Sequence, residues 1–235
     1  MAVSRFKYGQ RHGLTLIVSL CVCLVFARSP VELITPELLA LAKKMYGEGI
    51  EAKLTSWGEL VGEQASSKDL VKLKKVNAYF NKKITFTSDA KHWQQEDYWA
   101  TPLESLGTQA GDCEDFVIAK YFSLIQSGIA EEKLRITYVK ALKLNQAHMV
   151  LAYYSSPRAT PLILDNLTSK ILPANKRRDL SPVYSFNGLG MWLERMKGSS
   201  IRIGDPNRLN MWMDLLARMG EQNMQPWLQL PSAGL

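Results

Sequence analysis

An α+β fold, with an N-terminal helical lobe, an antiparallel sheet and a cysteine opening the helix between them, is predicted by three observations. Apolar residues recur at helical spacing over residues 35–80. The period then changes to two over residues 134–142, 147–154 and 161–165. Between the two regimes lies Gly111-Asp112-Cys113-Glu114-Asp115-Phe116, where a helical pattern starts directly after Thr108-Gln109-Ala110-Gly111, which has none.

Taken in order, the chain opens on Arg5, Lys7 and Arg11, followed by an apolar run of 14 residues, 14–27, that closes on Val25-Phe26-Ala27. This reads as a secretory signal peptide over residues 1–27, because it is shorter than the roughly 20 apolar residues of a membrane span. Export to the periplasm is expected; a retained inner-membrane anchor is the alternative. Removing the leader takes away Arg5, Lys7 and Arg11 and no acid, so the charge falls from +7 to +4. No Lys/Arg stripe interleaved with aromatics is present, and Lys176-Arg177-Arg178, followed by Asp179, reads as a solvated loop. Nucleic acid is therefore excluded as a partner.

Residues 28–235 read as a single catalytic domain, with a helical lobe over 28–83 and a catalytic core over 84–235. Thr35 is suited to cap a first helix with Pro36 at its first position and Leu38, Leu41, Ala42, Met45 and Tyr46 on one face; Gly47 and Gly49 stop it. A second helical pattern carries Leu54, Trp57, Leu60 and Val61, and a third begins near Ser67 with Leu70, Leu73, Asn77 and Phe80. Each stripe is expected to face the core. Over residues 84–111 the periodicity breaks up, with an extended segment at 97–102 and a turn around Gly107. Trp93, Tyr98 and Trp99 in this stretch either cap the core or wall a cleft beside Cys113.

The Cys113 helix is expected to end at Gly128. Three strands follow, separated by Asn145-Gln146 and Ser155-Ser156-Pro157, and segments 183–186 and 191–193 extend the sheet around Asn187-Gly188-Leu189-Gly190. Asp205-Pro206 announces a last amphipathic helix with Leu209, Trp212, Met213, Leu216 and Met219. After Gly220 the tail reads as loosely structured.

Cys21 and Cys23 lie in the leader, so Cys113 remains alone and no intrachain disulfide can form. An unpaired thiol in an oxidising compartment points to chemistry rather than packing, although a buried cysteine can also serve as a small hydrophobe. In a first helical turn, unpaired N–H groups and the helix dipole favour the thiolate, whereas Asp112, Glu114 and Asp115 oppose it. An imidazolium or a bound cation is needed to offset them.

Outside the leader the histidines are His92 and His148. His92 reads as ordinary surface. His148 starts a strand and shares a face with Val150 and Ala152, which suits a base aimed at a helix N-terminus. Asp165 ends the apolar strand Pro161-Leu162-Ile163-Leu164 and is suited to orient that base, unless it merely initiates the turn before Asn166. Cys113, His148 and Asp165 together form a nucleophile, base and orienter in chain order.

The stretches Trp99-Ala100-Thr101-Pro102-Leu103-Glu104, Gly111–Phe116, Lys120-Tyr121, His148-Met149-Val150-Leu151 and Leu164-Asp165-Asn166 resemble the bacterial transglutaminase-like cysteine proteinases, specifically the LapG family. The resemblance implies a papain/transglutaminase-like fold with Cys113 as nucleophile, His148 as general base and Asp165 as its orienter. It also implies dependence on Ca²⁺, with Asp112 and Glu114 as ligands and Asp115 as either a further ligand or a first-turn carboxylate. Proteases of this family cut a large surface adhesin near its N-terminus, so that biofilm disperses, and are restrained by the periplasmic domain of an inner-membrane cyclic-di-GMP receptor. Two other functions compete with proteolysis: acyl transfer from protein glutamine, as in true transglutaminases, and a non-catalytic periplasmic binding module.

Overall fold

The computed structural model describes residues 33–195 and 199–229. The leader at 1–27 lies outside them, as does the end of the tail, 230–235. Three helices come first. Thr35 caps α1 (Pro36–Tyr46) by accepting the Leu38 N–H at 3.2 Å. Gly47 ends it at φ +78°, a conformation that a side chain would strain. In α2 (Ile50–Gln64) and α3 (Asp69–Lys83) the stripes Leu54, Trp57, Val61 and Leu73, Val76, Phe80 are buried. Met45 and Leu70, expected in the core, are 45% and 47% exposed, because they fall at the margin of their stripes.

A two-residue parallel ribbon joins β1 (Thr85–Phe86) to β2 (Ala110–Gly111), with α4 (Asp89–His92) and α5 (Pro102–Thr108) between them. The turn expected around Gly107 is instead the end of α5. A reciprocal cap starts this helix: the Glu104 N–H donates to Thr101 Oγ1 at 3.2 Å, and the Thr101 N–H donates to Glu104 Oε2 at 2.8 Å. Thr101-Pro102-Leu103-Glu104 carries that signature, but the helix is too short to show a period.

Helix α6 (Cys113–Gln126) is the axis of the molecule, with every residue from Glu114 to Ile125 buried. It packs between α3 and α5 and a seven-stranded antiparallel sheet ordered β6-β5-β4-β3-β7-β8-β9. These strands are β3 (Leu134–Ala141), β4 (Gln146–Tyr153), β5 (Leu162–Leu164), β6 (Leu172–Pro173), β7 (Leu180–Asn187), β8 (Gly190–Arg195) and β9 (Ser199–Gly204). In the β3–β4 hairpin Val139 pairs with His148 and Tyr138 with Met149. β9 was not expected. It is an edge strand whose Ile201 and Ile203 are 42% and 48% exposed, so its sequence lacks the burial that makes a strand pattern legible.

The tail corrects the expectation of loose structure. A short 3₁₀ turn capped by Asp205 leads into α7 (Asn210–Glu221), and α8 (Gln225–Leu228) follows. Trp227 is fully buried, stacks on Trp57 with ring centroids 3.6 Å apart, and donates from Nε1 to the Leu33 carbonyl at 2.8 Å. Leu38, Trp57, Phe80, Phe122, Leu151, Phe186, Trp212 and Trp227 belong to one continuous core that spans helices and sheet alike. Each large apolar side chain buried there contributes about 2–3 kcal/mol. Among the described residues no helix is long and apolar enough to cross a membrane.

Candidate active site

At the start of α6 the backbone is shaped by Asp115, which folds back over Gly111; a Cβ at Gly111 would lie 2.5 Å from its Oδ2. Asp115 is fully buried and accepts from two backbone N–H groups, Asp112 at 3.1 Å and Ala100 at 2.7 Å. It thereby staples the 97–101 segment to the helix. Trp99 in that segment is buried and stacks on Phe186 at 5.6 Å, so it caps the core, while Trp93 and Tyr98 meet with tilted rings, centroids 4.7 Å apart, and stay half-buried.

Cys113 is the first residue of α6. Its thiol donates to Glu114 Oε2 at 2.9 Å, and the sulfur accepts from the backbone N–H of Met149, the residue after His148. The helix start and the histidine strand therefore meet. Burial, followed by the charge of Glu114 and then Asp112, pushes this thiol far above its ordinary range. Without a compensating cation the sulfur is held as a thiol.

His148 and Asp165 are both buried, and His148 Nε2 lies 2.8 Å from Asp165 Oδ1. An ionised carboxylate only accepts, so Nε2 carries the proton and Nδ1 is left as the basic nitrogen. Burial alone would raise Asp165; the hydrogen bond and charge of His148, the Leu167 N–H and Arg177 outweigh it and bring the carboxyl down to about 2. The bond from the Leu167 N–H, 3.0 Å, is the turn-initiating contact weighed as the alternative role; both roles coexist on Oδ1.

Arg177 overturns the reading of residues 176–178 as a solvated loop. Its side chain is 5% exposed, and Nη2 donates to Asp165 Oδ2 at 2.7 Å. It lies beyond a 3₁₀ turn at Ala174–Lys176 that turns the guanidinium inward, whereas the run of three cations in sequence reads as exposed. His92 also departs from expectation: it is half-buried, edge-on to Trp93 at 4.3 Å.

Carboxylates gather beside Cys113. The ligand atoms of Asp112, Cys113 and Glu114 lie within 4.8 Å of one another, as do those of Asp89, Asp112 and Asp115, and of Asp89, Asp97 and Glu114. Asp89 Oδ1 and Asp112 Oδ1 are buried without a hydrogen-bond partner among the described residues. Burial and mutual repulsion push Asp89 up to about 6 and Asp112 up to about 8; burial pushes Glu114 up to about 7. Orphaned, closely spaced carboxylate oxygens fit a hard divalent cation, which prefers several oxygen ligands. Asp112 and Glu114 were expected here; Asp89 and Asp97 were not, since they arrive from a different part of the chain and form no motif with residues 112–114.

A helix opened by a cysteine, docked on an antiparallel sheet that carries a buried histidine–carboxylate pair, defines the papain/transglutaminase-like class of thiol enzyme. Comparison with known proteins gives the family. The family model of the bacterial transglutaminase-like cysteine proteinases matches residues 56–179, and the chain belongs to that family. It is accordingly a cysteine peptidase. Solved structures of Legionella pneumophila LapG are similar to it at 42% identity: an EGTA-treated form with TM-score 0.69 and a calcium-bound form with TM-score 0.67. Each alignment covers 78% of this chain, and 96% and 97% of the respective LapG chains. No curated protein matches.

Proposed function

We propose that this chain is a calcium-dependent periplasmic cysteine endopeptidase that cleaves the N-terminal region of a large surface adhesin and thereby controls biofilm release. The periplasmic domain of an inner-membrane cyclic-di-GMP receptor is its inhibitory partner. The observation that carries the proteolytic reading is the His148–Asp165 contact of 2.8 Å, with the Cys113 sulfur seated against the neighbouring Met149 N–H. Kinship with LapG, one solved form of which is calcium-bound, together with the carboxylate cluster, supports calcium. The leader at 1–27 supports export.

In this reading His148 Nδ1 takes the proton of the Cys113 thiol, and Asp165 holds the resulting imidazolium. The thiolate attacks the scissile carbonyl carbon. Negative charge develops on the carbonyl oxygen, where the Cys113 backbone N–H, one of the unpaired donors of a first helical turn, is a stabilising group worth about 3 kcal/mol. His148 returns its proton to the leaving amine nitrogen as the C–N bond breaks, which leaves a thioester. Water then attacks the thioester, His148 again accepts the proton, and the carboxylate product departs with regeneration of the thiol. Asp112 and Glu114, joined by Asp89 and Asp97, would hold Ca²⁺. When bound, the ion supplies positive charge that offsets the carboxylates around the sulfur and favours the thiolate.

The test incubates the protein with the N-terminal region of a large adhesin from the same genome, in calcium and in chelator. Cleavage in calcium, and none by a folded Cys113→Ala variant, is expected. Cutting by Cys113→Ala would refute the assignment.

A further inference from the structure

We propose that Arg177 is a positioning residue of this reaction, locking the Asp165 carboxylate in the plane that holds the His148 ring. The proposal rests on the assignment of Cys113, His148 and Asp165 as the catalytic set. The two oxygens of Asp165 are divided between partners: Oδ1 takes His148 Nε2 and the Leu167 N–H, and Oδ2 takes Arg177 Nη2. The carboxylate cannot rotate about its Cβ–Cγ bond without breaking a contact on each oxygen. Its backbone is fixed as well, since the Asp165 carbonyl accepts from Asn81 Nδ2 at 2.8 Å.

The guanidinium is itself held from the far side. Asp179 accepts from Arg177 Nε at 3.1 Å and from Nη2 at 2.8 Å, and the Asp179 carbonyl accepts the Leu142 N–H at 2.8 Å, which ties it to the β3–β4 turn. The rigid planar fork of arginine is what permits one side chain to brace two carboxylates at once; a lysine is a point charge on a flexible stem. Stability is a weak reason for this arrangement. A buried ion pair contributes little over an apolar pair of similar volume, and Arg177 Nη1 is buried with no partner among the described residues. Orientation of Asp165 accounts for what the charge costs.

Charged groups face Asp165 from each neighbouring element: His148 from β4, Lys120 from α6, and Arg177, with Asp179 behind it, from the segment before β7. Removing Arg177 leaves His148 and Lys120 in place. What is lost is the second anchor of the carboxylate.

The test compares Arg177→Met and Arg177→Lys, each alone and combined with Asp165→Asn, in cleavage of the adhesin fragment at saturating calcium. Arg177→Met is expected to lower kcat about 10- to 100-fold at unchanged KM, by analogy with the loss of an outer hydrogen-bond partner of a metal-binding histidine or carboxylate. Arg177→Lys should recover part of that loss. In the Asp165→Asn background, Arg177→Met should cost less than about twofold more, because the residue it positions is already disabled. Unchanged kcat, a raised KM at normal kcat, or a full independent loss in the double variant would each overturn the proposal. Should Arg177→Met fail to fold, Asp179→Asn loosens the guanidinium while keeping it, and a smaller fall in kcat that vanishes with Asp165→Asn is expected. If no fragment is cut, the rate of Cys113 alkylation by iodoacetamide supplies the same comparison. Full cleavage by Asp165→Asn alone would instead refute the catalytic assignment, separately from Arg177.

Discussion

Glu114 Oε2 holds the thiol of Cys113 at 2.9 Å, within a cluster of carboxylates that disfavours ionisation of the sulfur. The group expected to bind metal is thus the same group that restrains the nucleophile. A cation held by Glu114 would compete with the thiol for that carboxylate and would supply positive charge beside the sulfur.

Calcium removal is therefore expected to abolish turnover reversibly. Asp112→Ala with Glu114→Ala should lower turnover at limiting calcium by about tenfold or more, and Asp89→Asn should shift the calcium titration to higher concentration, since affinity follows the number of charged ligands. A calcium titration of peptide cleavage checks both. Undiminished turnover in stringent chelator would remove the ion from the mechanism.

Asp165→Asn should lower kcat by about 10²- to 10⁴-fold with little change in KM, because an amide in place of the carboxylate no longer enforces the Nε2–H tautomer of His148. Steady-state kinetics on the adhesin fragment is the measurement. A loss confined to KM would show that Asp165 acts elsewhere.

Acid stability follows from the same carboxyl. Its value falls from an ordinary 3.8 to about 2 on folding, so its contribution is fully present above pH 4 and is lost as pH falls through 2. The contribution is on the order of 2–3 kcal/mol. Denaturant titrations between pH 6 and pH 2 should show a steeper loss of stability in the wild type than in Asp165→Asn, in which the lowered carboxyls of Asp69 and Asp179 remain.

Lys120 gives a prediction of opposite sense. The amine is fully buried in α6, Nζ has no hydrogen-bond partner among the described residues, and burial, partly opposed by Asp165, lowers it from 10.5 to about 7. Between those values the unfolded chain binds more protons than the folded one, so stability rises with pH from 7 towards 10. Lys120→Met should remove that slope and raise the unfolding midpoint at pH 7. A flat wild-type profile over this range would contradict it.

Trp227→Ala should cost about 3–5 kcal/mol, as expected for emptying a packed aromatic site. The shift of the urea midpoint measures it. The effect is expected although the residue lies in a tail whose sequence has no period, because burial comes from Trp57, far away in the chain.

Legibility in the sequence tracked locality. Thr35 and Pro36 announce α1 within four residues, and the short apolar run over residues 149–153, bounded by Asn145-Gln146 and Ser155-Ser156-Pro157, announces β4, because caps and turns are set by near neighbours. Cys113, Asp112, Glu114 and Asp115 could be placed at a helix start for the same reason, and His148 and Asp165 were readable from strand context and from the resemblance. Arg177 could not be read. Its side chain is inward only because a 3₁₀ turn aims it at Asp165, and three successive cations have no periodicity to reveal that. Asp89 and Asp97 were equally silent, since each is an ordinary loop or helix-end acid until the fold sets it beside Glu114.

The sequence by itself determined the three N-terminal helices, the Cys113 helix, the central strands and the chemical types at the site, which depend on spacing along the chain. Only the tertiary structure decided that Asp89 and Asp97 join the acidic cluster, that Arg177 braces Asp165, and that Trp227 closes the core. Those contacts join groups far apart in the chain, and their energies come from burial and charge proximity that exist only after the chain has packed.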